Sequence, residues 1–119
     1  MKQNELNIHQ LVGRLVNDPV VKEIKSGKRV MTFNLAYNTM QSTDNDGSHA
    51  NFISVEAWDK MVDIFEPMLT KGLQIIVNGD LVQNRWVDKD GKKRETFKFV
   101  AQAITINDLK FRMPEKAAA

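Results

Sequence analysis

The chain has 119 residues, a formal net charge of +2, 42% hydrophobic and 27% charged side chains, which is the make-up of one soluble globular domain. It contains no Cys, which excludes a disulfide framework, a thiol nucleophile and a zinc–thiolate site. No apolar run approaches the about 18 residues that a membrane span needs, and the opening M-K-Q-N-E-L lacks the apolar centre of a signal peptide. The expected setting is the cytoplasm, with no membrane association.

Residues 8–16, I-H-Q-L-V-G-R-L-V, alternate as a first strand with Leu11, Gly13 and Leu15 on one side. Gly13 inside that run marks a bulge or a tight bend, and N-D-P at 17–19 marks a turn. Extended structure resumes from Val20 to Ile24. Lys25-Ser26-Gly27-Lys28 is a short turn, and Arg29 to Tyr37 is the next strand, with Met31, Phe33 and Leu35 facing inward. Residues 38–50 are polar around a D-N-D-G centre and read as a long loop or hairpin tip. The EF-hand ligand pattern is missing there, and His9 and His49 have no partner at a ligand spacing, so no metal site is expected.

Asn51 to Trp58, N-F-I-S-V-E-A-W, is a third strand of divided character. Ile53, Val55 and Ala57 suit a core. Phe52, Ser54, Glu56 and Trp58 share the other face, and the two rings stand roughly 20 Å apart. Aromatics mixed with polar residues on a half-solvated face make a stacking platform for unpaired bases; the alternatives are a strand buried on both sides or a subunit interface. A helical pattern follows, with Asp59 as N-cap and Met61, Val62, Phe65, Met68 and Leu69 at helical spacing. Pro67 must kink or stop it near Glu66, and Gly72 is placed to end it in a left-handed conformation.

Leu73 to Gln83 is a fourth strand, with Leu73, Ile75, Val77 and Leu81 on one side and Gly79 as a second bend point. D-K-D-G at 88–91 is a hairpin turn, and Trp86 stands beside it among Arg85, Lys92, Lys93 and Arg94. The last strand runs from about Thr96 to Ile106, with Phe97 and Phe99 opposite Val100, Ile104 and Ile106.

Five strands with one short helix between the third and fourth, no βαβ alternation and glycine corners predict an all-β, five-stranded Greek-key barrel, the OB-fold, over residues 1–110. Residues 111–119 form a short frayed tail. In that fold oligonucleotides lie across the second and third strands, gripped by the first-to-second and fourth-to-fifth connections. Positive charge is concentrated at those two places: residues 22–29 and 85–94 each carry +3 in a chain of total +2. Lys-rich hairpin tips are common, but cations gathered beside an aromatic strand suit a polyanion site.

These pieces together resemble the bacterial-type single-stranded DNA-binding protein family. The matching stretches are L-V-G-R-L-V-N-D-P at 11–19, S-G-K at 26–28, F-N-L-A at 33–36, V-E-A-W-D-K at 55–60, K-G at 71–72, V-N-G-D-L at 77–81 and W-V-D-K-D-G at 86–91, in family order over about residues 4–110. The resemblance implies sequence-independent wrapping of single-stranded DNA in replication, recombination and repair, and assembly into dimers and commonly tetramers. It puts stacking aromatics at Phe52 and Trp86 and a base-contacting one at Trp58. Members often carry a further aromatic just past the second strand; here Gln41 stands there, with Tyr37 and Met40 nearby. Ile53 and Ser54 replace polar or basic residues that some members use in assembly and binding. Members also carry an acidic tip that recruits replication and repair enzymes. The sequence here ends P-E-K-A-A-A, so that role is not implied.

The expected function is therefore non-enzymatic binding of single-stranded DNA by a nucleoid-associated homo-oligomer, a tetramer more than a dimer. Phe52, Trp58 and Trp86 stack bases, with Tyr37 as a further contact. Lys22, Lys28, Arg29, Arg85, Lys92, Lys93 and Arg94 neutralise phosphates, with Lys60 and Lys71 behind them. No cofactor is expected. One alternative is a primosome-type or other replication-assembly protein whose aromatic face grips a protein. Another is an RNA-binding OB module. An enzyme fits worst, because there is no G-x-S-x-G, Walker or zinc-protease motif and no well-placed carboxylate pair.

Overall fold

The computed structural model describes residues 8–39 and 50–108. The expectations for His49, Met40, Gln41 and the D-N-D-G centre, and for the tail at 111–119, lie outside the described residues. The described elements are β1 (His9–Leu15), β2 (Val20–Glu23), β3 (Arg29–Tyr37), β4 (Asn51–Trp58), α1 (Lys60–Phe65), β5 (Gln74–Val87) and β6 (Lys93–Ile106).

The strands hydrogen-bond in the order β1-β5-β6-β4-β3-β2, and a further pairing of β1 with β3 closes the ring. Only β4 and β6 run parallel; the other pairs are antiparallel. This is the expected OB-fold, with the helix between the third and fourth barrel strands. The first barrel strand arrives as two segments. Leu15 pairs with Leu35 and Val20 with Thr32, so β1 and β2 lie end to end along β3. The N-D-P corner between them is held by its own side chains. Asn34 N–H donates to Asn17 Oδ1 at 3.2 Å and Lys71 N–H donates to Asp18 Oδ1 at 2.8 Å.

The alternating residues read as core are core. Met31, Phe33, Leu35, Val55, Ala57, Ile75 and Val77 are all buried, and Ile53 packs partly buried against them. Two expectations change. Leu81, expected on the side of Ile75 and Val77, is 40% exposed, and Phe99 is buried together with Ile104, expected opposite it; Phe97 is 48% exposed. A register shift brings Ile104 to the side of Phe99: Asn78 pairs with Ala103 but Gly79 pairs with Ala101. One extra residue in β6 flips the alternation, so Phe99 and Ala101 face inward before it and Ile104 after it. Beyond β4's last pairing at Lys98, β5 and β6 continue as a two-stranded arm to Val87 and Lys93, so Phe97 lies past the edge of β4, and Leu81 lies past the last β1 pairing at Gly79.

The helix is short, ending where Pro67 requires. Val62 on α1 and Leu69 beyond it are buried in the core. Asp59 occupies the N-cap position, but its side chain makes no cap hydrogen bond. Asp59 Oδ1 accepts instead from Arg29 N–H at 3.3 Å, and Asp59 N–H donates to Arg29 C=O at 2.9 Å. That reciprocal pair ties the entry of α1 to the start of β3, and Asp59 adopts a left-handed φ of 51° to make it. After the helix Gly72, at φ 90°, donates its N–H to Leu15 C=O at 2.8 Å and stitches the connection onto β1.

Candidate nucleic-acid interface

Residues paired across a sheet point to the same side of it. Trp58 pairs with Val30 and Val30 with Lys22, which gives one outward row across β4, β3 and β2. At the other end of β4, Phe52 pairs with Ala36 and Ala36 with Arg14, a parallel row that ends on β1. Val30 is only 8% exposed despite facing outward, so the larger residues beside it cover it. Phe52 is 63% exposed and Trp58 is half-buried.

The outward face of β4 continues onto the arm. Ser54 pairs with Lys98 of β6, and Lys98 with Val82 of β5. Lys98 Nζ and Glu56 Oε2 form an ion pair of 3.1 Å across that seam. Two steps further along the arm Asn84 pairs with Thr96, and then Trp86 with Arg94. Lys22, Trp58, Phe52, Trp86 and Arg94 therefore belong to one continuous face, and Trp86 is 46% exposed on it.

Four candidates read from the sequence lie elsewhere. Arg85 and Lys93 belong to the opposite face of the arm, where Arg85 pairs with Glu95 and Lys93 with Val87. Arg85 Nη2 donates to Gln83 Oε1, and Gln83 Nε2 to Glu95 Oε2. Arg29 shares the inner side with Met31 and forms an ion pair with Asp63 of α1. Tyr37 shares the side of Leu35, not that of Ala36, and lines a cleft at the barrel end with Leu11, Ile53, Leu81 and Phe99. His9 packs edge-on against Phe99 there, ring centroids 6.4 Å apart. Lys28 and Lys92 are exposed in their turns.

Arg14 was not among the sequence candidates. It lies on the row of Phe52, donates from Nη1 to Gly72 C=O at 3.0 Å, and stands 3.6 Å from Asp108 Oδ2. Its outward position alternates with Gly13 and Leu15, which was a signal available in the sequence.

The arm's turn is built around Asp88. Its Oδ1 accepts from the N–H groups of Asp90 and Lys92 at 2.9 and 3.0 Å, and its Oδ2 accepts from Arg94 Nε at 2.8 Å. The Arg94 guanidinium first, and the Lys92 and Asp90 N–H groups with it, hold the Asp88 carboxyl below the usual aspartate range.

An aromatic, cation-edged sheet face on an OB barrel defines a protein that handles unpaired nucleic acid. The model of the single-strand binding protein family matches residues 6–107. The single-stranded DNA-binding protein of Aquifex aeolicus is 33% identical over 103 residues, spanning 85% of this chain and 69% of that protein. That of Thermotoga maritima is 29% identical over 102 residues, spanning 84% and 72%. The solved Plasmodium falciparum SSB complex with ssDNA superposes with a TM-score of 0.76 at 23% identity, over 91% of this chain and all of that one, a likeness of fold. The chain belongs to the single-strand binding protein family.

Proposed function

We propose that this protein binds single-stranded DNA without sequence preference, acts without catalysis, and serves replication, recombination and repair by holding and protecting unpaired strands. The observation that carries this reading is the continuous face that joins Phe52, Trp58 and Trp86 with Lys22, Arg94 and Arg14. Bases stack on the rings and phosphates meet the cations at the rim. Every base has a π-face, so such a site tolerates any sequence. A duplex hides those faces, so it binds poorly.

Self-association into a tetramer is the finer part of the proposal. The exposed Ile8, Leu81, Val87 and Phe97 support it, because apolar side chains of this size favour a covered surface.

The test is titration with a thymidine oligomer at several salt concentrations, followed by tryptophan fluorescence, with a duplex of equal length as control. Stoichiometric quenching by the single strand alone is the expected result, with a log–log salt slope of about −0.7 per phosphate held. Equal response to the duplex, or none to either, overturns the proposal. An RNA oligomer binding tighter than DNA of the same sequence would replace it with an RNA-binding function.

A further inference from the structure

The strongest unexplained group on the interface is a carboxylate. Asp88 sits at the tip of the arm, two residues from Trp86 and in direct contact with Arg94. A negative charge beside a polyanion track costs affinity, unless it organises the cations around it.

The geometry points to Asp88 as a positioning residue, one that sets the Arg94 guanidinium on the Trp86 face so that a base stacked on Trp86 and the phosphate beside it are held together. This rests on the single-stranded DNA reading above and names how one of its subsites is built.

Three observations support it. Trp86 and Arg94 are direct cross-strand partners, so their side chains are neighbours on one face. Asp88 engages Arg94 through Nε, which leaves both terminal nitrogens of the guanidinium with no hydrogen-bond partner among the described residues. A guanidinium held at Nε presents its outer N–H groups in a fixed direction, which is the arrangement that bidentate phosphate recognition needs. The carboxylate is itself fixed: its second oxygen is tied to two backbone N–H groups of the turn. Asp88 therefore cannot follow Arg94 if the side chain swings away. Its own charge is partly spent on those partners, which reduces its repulsion of an approaching phosphate.

The test uses Asp88→Asn in the whole chain. Asn keeps an oxygen for the Asp90 and Lys92 N–H groups, so the turn is retained, and it removes one negative charge from the interface. Charge alone predicts tighter binding. Positioning predicts the opposite sign: affinity for a thymidine oligomer falls about threefold to tenfold, the weight of one net hydrogen bond, and the salt slope becomes shallower by about 0.7. Arg94→Gln should then weaken the wild type by a similar factor and add little to Asp88→Asn. Arg94→Lys keeps the charge but not the fork, and should lose affinity nearly as far.

Unchanged or tighter binding by Asp88→Asn overturns the inference, as does full additivity with Arg94→Gln. Full affinity in Arg94→Lys does so too, because the charge alone would then suffice. These outcomes are separate from failure of the underlying function, which would appear as no single-strand binding by the wild type.

Discussion

The guanidinium of Arg29 pairs with the carboxylate of Asp63, joining the first residue of β3 to α1 on the side of the barrel away from Val30 and Lys22. Arg29 and Lys22 belong to the same basic segment of the sequence, yet alternation and the helix separate their duties. Arg29→Ala is expected to lower stability by about 0.5 kcal/mol, since the pair is partly exposed, and to leave oligonucleotide affinity within about twofold. Lys22→Ala is expected to leave the melting temperature unchanged, weaken binding and reduce the salt slope by about 0.7. Thermal melts and salt-dependent titrations of the two variants check this. Equal affinity loss in both would return Arg29 to the interface.

Phe52 and Trp86 are the two most exposed aromatics on the shared face. Replacing either with Ala removes a stacking surface worth about 1–3 kcal/mol per base, so affinity should fall roughly fivefold to more than a hundredfold with little change in fold. Trp58 is half-buried beside Val30, so Trp58→Ala should cost both affinity and stability. Phe97→Ala is the control: it is as exposed as Trp86 but on the other face of the arm, and single-strand affinity should survive its loss. Isothermal titration against one oligomer ranks the four variants.

Strand alternation made most of the barrel legible in the sequence. Met31, Phe33 and Leu35, and likewise Val55 and Ala57, obey a strict period of two because each strand has one buried face. The same rule separates Phe52 and Trp58 from the core. It failed where the backbone breaks the period. The extra residue opposite Gly79 leaves no composition signal in β6, so alternation alone sets Ile104 opposite Phe99 although both are buried. Charge was legible only by segment. Lys22 and Arg94 point to the aromatic face, while Arg85, Lys93 and Arg29 do not. Which cations do so depends on register and on partners such as Glu95 and Asp63, which are distant in sequence.

Gly79 is the position where that break depends on a missing side chain. A Cβ built there would overlap the Val100 carbonyl oxygen of the partner strand. Both groups are backbone in a closed sheet and neither can move aside cheaply. Gly79→Ala should therefore destabilise the protein by about 1–3 kcal/mol or more, well beyond a typical surface change. Chemical denaturation measures it. A variant within about 0.5 kcal/mol of the wild type would show that the shift between Asn78 and Gly79 can relax.

Asp88 supplies a pH dependence whose sign follows from its partners. Arg94, then Lys92 N–H, favour its charged form, so its folded pKa lies below the unfolded aspartate value of about 3.9. A depressed carboxyl contributes order that is fully present above that unfolded value and is lost as pH falls through the lower, folded one. The turn should thus be unaffected from neutral pH down to about 5, and the Asp90 and Lys92 amide resonances should shift only in strongly acidic solution. In Arg94→Gln the largest cause of the depression is gone, so the midpoint of that shift should move up. In Asp88→Asn the titration should vanish. A wild-type midpoint at or above the ordinary aspartate value, or one that ignores Arg94→Gln, would mean that the 2.8 Å contact between Arg94 and Asp88 is not kept in solution.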